Sequence, residues 1–274
     1  MSPAKKSLTP TNSLQDISTG RFRRALAALR RIGFGGVVNL IRQHGLRGSL
    51  EFVIRNIRHI LADQIARRWD KKYGVDTAGT VPLGSLSIVG PNKEYGNECL
   101  CTSPKTFDFM MRSLPEDLRG YTFIDIGSGK SRTLLLASRY DFSRIIGVEF
   151  AKELVACSKQ NIASFKSEWQ KCRNIEVVEA DATQFVFPTT PLVVFFYNPF
   201  SSEIFKEVLN NIEVSLSQNE RDCFIMYGSS SHNAIDWAKP TILSGGMFEE
   251  MPSSKAPFFL DAVRTVRFAI FKAS

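Results

Sequence analysis

From Tyr121 onward, short runs of continuous apolar residues alternate with stretches whose apolar positions recur every third or fourth residue. The runs read as strands and the periodic stretches as helices. The first run, Phe123 to Ile126, closes on a glycine turn and leads into a helical pattern. A second run stops at Glu149, and Ile175–Ala182 reads as a third strand. Leu192–Tyr197 (LVVFFY) is nearly continuous in apolar character, the pattern of a strand covered on both faces. Glu203–Leu216 then reads as a helix, Asp222–Tyr227 as a fifth strand and Asn233–Ala238 as a short helix. Gly246–Met251 and Ala262–Phe271 read as an antiparallel pair, the second with alternating faces. Five parallel strands followed by a reversed pair predict an α/β fold. Its sheet is doubly wound, seven-stranded and mostly parallel, with an antiparallel terminal strand.

The first 75 residues follow another pattern. Met1–Thr19 is polar, with Pro, Ser and Lys, and reads as a disordered tail. Arg21–Ile32 has apolar residues at helical spacing before Gly33, Gly35 and Gly36 break it, and Val37–Gln43 is a second short apolar piece. Ser49–Trp69 is the strongest helix pattern, with Leu50, Val53, Ile54, Ile57, Ile60, Leu61 and Ile65 in one stripe and Ser49 placed to cap it. A connector rich in Gly, Pro and Asn runs from Lys72 to Pro104, and Lys105–Leu114 reads as a helix. The organisation predicted is a tail over 1–19, a basic helical extension over 20–72 and one α/β domain over 73–274.

Chemistry concentrates in Tyr121–Phe150. The first strand ends in Asp125-Ile126-Gly127-Ser128-Gly129, and a second acid, Glu149, lies 20 residues after Gly129 at the end of the next strand. Strand, glycine turn, helix, strand, acid is the layout of an adenosine-cofactor site on a parallel sheet. Glycines suit a turn where backbone approaches a ligand closely. No third glycine follows: Ser131 and Arg132 stand where a pyrophosphate-binding loop would continue. The layout therefore suits S-adenosylmethionine (SAM) better than a dinucleotide. Asp125 can face the ammonium end and Glu149 the ribose hydroxyls. Asp181, after the third strand, can meet an adenine amino group or can merely cap the next turn. Asn198, in Asn198-Pro199-Phe200 after the fourth strand, falls where open α/β sheets place their ligands. The bland alternative throughout is a set of tight turns with surface acids.

These motifs resemble those of class I SAM-dependent methyltransferases, over about Asp70–Ser274. The closer likeness is to a bacterial subgroup without an assigned substrate, which carries a tract like Trp69-Asp70-Lys71-Lys72-Tyr73-Gly74-Val75-Asp76-Thr77 before the domain. The resemblance implies SAM as cofactor, held by Asp125, Gly127, Ser128, Gly129, Glu149, Phe150, Asp181, Ala182 and Asn198. It implies a lid over the crevice that bears Tyr95, with Asn198 and Tyr95 at the chemistry. A packed core tyrosine is the other reading of Tyr95. Asn198-Pro199-Phe200 is also similar to a shortened Asn-Pro-Pro-aromatic motif of amino-group methyltransferases. That implies a nitrogen acceptor, with protein lysine favoured over a small molecule, lipid or RNA. Many family members have glycine where this chain has Ser131. A serine fits the turn with a negative φ, so cofactor binding is expected to survive. A non-catalytic SAM-binding protein is the alternative from another class.

Composition narrows the setting. The cysteines (Cys99, Cys101, Cys157, Cys172 and Cys223) form no C-x-x-C pair, and three histidines are too few for a zinc centre, so no metal is expected. Scattered thiols, with no secretory or membrane-spanning segment, point to a cytoplasmic protein. The net charge of +8 is unevenly placed: residues 1–75 hold 15 Lys/Arg against 4 Asp/Glu, the remainder 20 against 23. The basic excess therefore belongs to the segment before the domain. Three readings of residues 20–72 stand open: packing of the stripe on the domain, docking on an anionic membrane surface, or contact with an acidic partner such as RNA.

Overall fold

In the computed structural model the described residues are 45, 47–48, 54, 58, 61–88, 95–96, 101–229, 234–252 and 266–274. The expected tail, the helix at Arg21–Ile32, the piece at Val37–Gln43 and most of the first half of Ser49–Trp69 lie outside them. Described helix runs over 61–73 (α1), four residues past the expected end at Trp69. Then come α2 (Pro104–Met111), β1 (Thr122–Ile126), α3 (Arg132–Ala137), β2 (Arg144–Glu149), α4 (Lys152–Ser164) and β3 (Ile175–Glu179). They are followed by β4 (Leu192–Tyr197), α5 (Ser202–Gln218), β5 (Cys223–Ser229), α6 (Ala234–Ser244), β6 (Phe248–Glu250) and β7 (Arg267–Ala273). Among the described residues no helix is long and apolar enough to cross a membrane.

The seven strands form one sheet in the order β3-β2-β1-β4-β5-β7-β6. β1 to β5 are parallel, and the order reverses between β1 and β4, where a crevice opens beyond the strand ends. The terminal strand is reversed, as expected. β7 is antiparallel to both β5 and β6 and lies between them, so β7 alone runs against the sheet.

The apolar runs are continuous because both faces are covered, and their residues divide by parity. Ile124, Ile126, Val194 and Phe196 point into one core layer with α5 and α6. Phe123, Val193 and Phe195 point into the other, with α2 and α3. One local expectation fails. The helix expected at Asn233–Ala238 continues to Ser244, carrying Pro240 inside it, because buried Ala234, Ile235, Ala238 and Ile242 keep one face in the core. Of the stripe on Ser49–Trp69, three described members face solvent. Ile54, Leu61 and Ile65 are 39%, 45% and 48% exposed, whereas Ala66 and Asp70 are buried. Trp69 and Tyr73 fix that rotation by joining Phe165 and Trp169 in one aromatic cluster, with ring centroids 4.6–6.0 Å apart.

Candidate functional site

A crevice of about 660 Å³, its open mouth included, lies at the ends of β1, β2 and β4. Asp125, Gly127, Ser128, Gly129, Glu149, Phe150 and Asn198 line it, each singled out in the sequence. Thr77, Cys101, Thr102, Lys130, Tyr197 and Pro199 complete much of the wall.

The glycine loop is pressed down onto β2. Gly127 and Ser128 both donate their amides to Val148 O (2.9 and 3.1 Å), and Gly129 donates to Glu149 Oε2 at 2.9 Å. Two glycines permit this. At Gly127, with φ +79°, a Cβ would stand 2.6 Å from Pro199 Cβ; at Gly147 a Cβ would stand 2.6 Å from Leu134 Cδ1 and Ser128 Oγ. Ser131 departs from expectation. Its φ is +70°, not negative, because the chain turns left-handed to enter α3 while the Ser131 amide bonds Ser128 O at 2.9 Å. A non-glycine residue there stores about 1–3 kcal/mol of strain, which its surroundings must over-determine.

Those surroundings are the tract from Trp69 to Thr77 and the side chains that reach it. Arg132, buried at the head of α3, reaches Asp70 Oδ1 at 2.8 Å and Ala66 O at 3.1 Å and lies over the Trp69 ring, with Cζ 4.2 Å from its centroid. Its Nε also bonds Thr77 Oγ1. Asp70 accepts in turn from the amides of Thr77 and Ala78 (2.8 and 2.6 Å). Lys130 Nζ reaches Asp76 Oδ1 at 2.9 Å and also Ala78 O, and Asn161 bonds both Asp76 and the Lys130 carbonyl. Lys130 and Arg132, the cations nearest the loop, are thus each paired with a carboxylate outside the crevice.

The acids that face the crevice are Asp125 and Glu149, both buried. Burial pushes the Asp125 carboxyl up to about 8, with the Glu149 charge adding to the rise and the Thr133 side chain opposing it. Burial also raises Glu149, while the amides of Ala151 and Gly129 oppose it. Glu149 accepts one amide on each oxygen, from Ala151 at 2.9 Å and from Gly129, which leaves each oxygen a further lone pair. Ser128 Oγ is buried and has no hydrogen-bond partner.

The opposite rim is the turn after β4. Asn198 has φ +49°, and its Oδ1 accepts the Tyr227 hydroxyl at 3.3 Å. Tyr227 is fully buried on β5, and burial raises its hydroxyl's pKa strongly. Nothing local in the sequence marks it. The Tyr95–Gly96 piece lies along this rim: Gly96 bridges Phe200, and Ser201 N donates to Tyr95 O at 2.9 Å. The Tyr95 side chain is 46% exposed, so it is not a core tyrosine, and it is not part of the crevice wall. Asp181 and Ala182 also stand apart from the wall. Asp181 Oδ1 accepts from the Thr183 amide (3.0 Å) and hydroxyl (2.8 Å), capping the turn Ala182–Gln184.

No family model and no curated protein matches the chain. Among solved structures it is similar to a precorrin-6y C5,15-methyltransferase from Geobacter metallireducens, at 16% identity and a TM-score of 0.48, over 71% of this chain and 100% of that one. It is similar to TrmN from Thermus thermophilus at 12% identity and a TM-score of 0.45, over 63% of this chain and 49% of that one. It is also similar to the 23S rRNA methyltransferase ErmE at 16% identity and a TM-score of 0.44, over 62% and 67%.

Proposed function

We propose that the chain is a methyltransferase that binds SAM in this crevice and passes its methyl group to a nitrogen nucleophile. One observation carries the reading. The amides of Gly127, Ser128 and Gly129 are spent on β2, the wall's two cations, Lys130 and Arg132, are paired with Asp76 and Asp70, and two acids, Asp125 and Glu149, line the same wall. A phosphate-binding loop needs the opposite: amides and cations aimed at the ligand. The site is built for a ligand that is cationic and rich in hydroxyl donors. SAM, with a sulfonium, an ammonium and two ribose hydroxyls, fits. When bound, it supplies a methyl group already activated by the sulfonium.

The residues then divide the work. Asp125 is placed to hold the ammonium, and Glu149 to accept ribose hydroxyls on its remaining lone pairs. Ser128 Oγ, buried without a partner, is a further group for a polar ligand to meet. Across the crevice, Asn198 Oδ1 is placed to accept a hydrogen from the acceptor nitrogen, its amide oriented by Tyr227. Orientation and exclusion of water are the main contribution of such a site.

Titration calorimetry with SAM tests the reading, alongside methyl transfer from labelled SAM into a fractionated lysate. Binding that disappears in Asp125→Asn and Glu149→Gln, with label entering an acceptor, supports it. Absence of SAM binding by a folded wild-type chain overturns it.

A further inference from the structure

The face of α1 turned away from the domain carries Leu61, Ile65, Arg68 and Lys72, spaced by four, three and four residues. At 100° per residue these fall within an arc of about 60°. All are exposed, Leu61 and Ile65 by 45% and 48%. Ile54 and Arg58, also helical and exposed, continue the same spacing upstream, and exposed Gln64 and Lys71 flank it. The one described acid on 61–69, Asp63, is bound to Arg67 at 2.7 Å on another side of the helix. The inward face of Ala66, Trp69, Asp70 and Tyr73 is fully engaged with the domain.

We propose that this outward row docks α1 on an anionic lipid bilayer. An aliphatic row left in water beside cations is the surface that membrane-facing helices present: the apolar chains enter the headgroup boundary and the cations meet anionic lipid. Each Lys or Arg adds roughly tenfold or less to such affinity. Charge complementarity supports this occupant, since residues 1–75 carry 15 Lys/Arg against 4 Asp/Glu. Leu61 and Ile65 offer no ring on which bases stack, which disfavours single-stranded nucleic acid.

The test is flotation of the full chain with phosphatidylglycerol/phosphatidylcholine vesicles, against pure phosphatidylcholine. We expect binding to the anionic vesicles alone. It should weaken by roughly tenfold in Leu61→Gln/Ile65→Gln and by roughly tenfold or more in Arg68→Gln/Lys72→Gln, with melting temperature and SAM binding unchanged. These positions are exposed, so the variants keep the fold, and a thermal melt verifies it. No flotation of the wild type, or flotation indifferent to both double variants, overturns the proposal. So does binding to polyuridine, but not to vesicles, that the same variants abolish.

Discussion

The two rims of the crevice are held in different ways. The glycine-loop rim is braced from behind by buried ion pairs, Arg132 with Asp70 and Lys130 with Asp76, cross-linked by Thr77 and Asn161. The Asn198 rim leans on apolar packing of Phe200 and on a long bond from the Tyr227 hydroxyl. Charged bracing suits a surface that must grip one unchanging ligand, and looser apolar support suits a surface that meets a second reactant. The rims touch where Pro199 covers Gly127. The braced side should therefore respond to mutation through stability and cofactor affinity, and the other side through turnover.

The largest effect is expected at the brace. Arg132→Met leaves Asp70 buried without its cation, and removing one partner of such a pair costs about 3–5 kcal/mol. Denaturant unfolding and SAM calorimetry measure it; a loss below about 1 kcal/mol would erase the contrast between the rims. Next, Gly127→Ala drives a Cβ into Pro199 at 2.6 Å from a backbone with φ +79°. About 2 kcal/mol of destabilisation should follow, with weakened binding. If crystals of that variant show Pro199 displaced and Asn198 moved, the rims are mechanically linked.

Acidity gives the third. Asp125 binds a proton up to about pH 8 in the folded protein, against an ordinary value of 3.8. The folded state therefore holds more protons than the unfolded one between those values. Its contribution to stability is present below the lower value and fades as pH rises through the upper one. Binding an ammonium requires the ionised form, so SAM affinity should fall about tenfold per unit as pH drops below about 8. Calorimetry from pH 6 to 7.5 reads the slope, and Asp125→Asn should flatten it.

Two smaller effects separate the rims most cleanly. Tyr227→Phe removes a hydrogen bond worth about 1 kcal/mol, and it should lower turnover about fivefold while leaving SAM affinity alone. Ser131→Gly relieves the left-handed backbone and should stabilise by about 0.5–1 kcal/mol, net of the added freedom of the unfolded chain. A destabilised Ser131→Gly would mean that the serine hydroxyl has a role its surroundings do not reveal.

Much of the architecture was legible locally. Leu192–Tyr197 announced a doubly covered strand, and the positions of Asp125 and Glu149 at strand ends located the crevice. What escaped depends on partners distant in sequence. Arg132 finds Asp70 across 62 residues, and Tyr227 reaches Asn198 across 29. The apolar stripe through Leu61 and Ile65 was legible as a stripe, but which side of α1 would be covered was settled by the Trp69, Tyr73, Phe165 and Trp169 rings. Likewise the helix expected to stop at Ala238 runs through Pro240 to Ser244, with Ile242 buried.

The placement of β7 between β5 and β6 bears on how the molecule is made. β6 is synthesised before β7 yet has no hydrogen-bonding neighbour until β7 arrives. As the chain leaves the ribosome, the outer edge of β5 stays unpaired through the emergence of some forty residues. An unpaired edge is a template for the wrong strand. The nascent chain should therefore lean on chaperones during that interval, and a stop codon ahead of Arg267 should yield insoluble protein rather than a smaller folded domain.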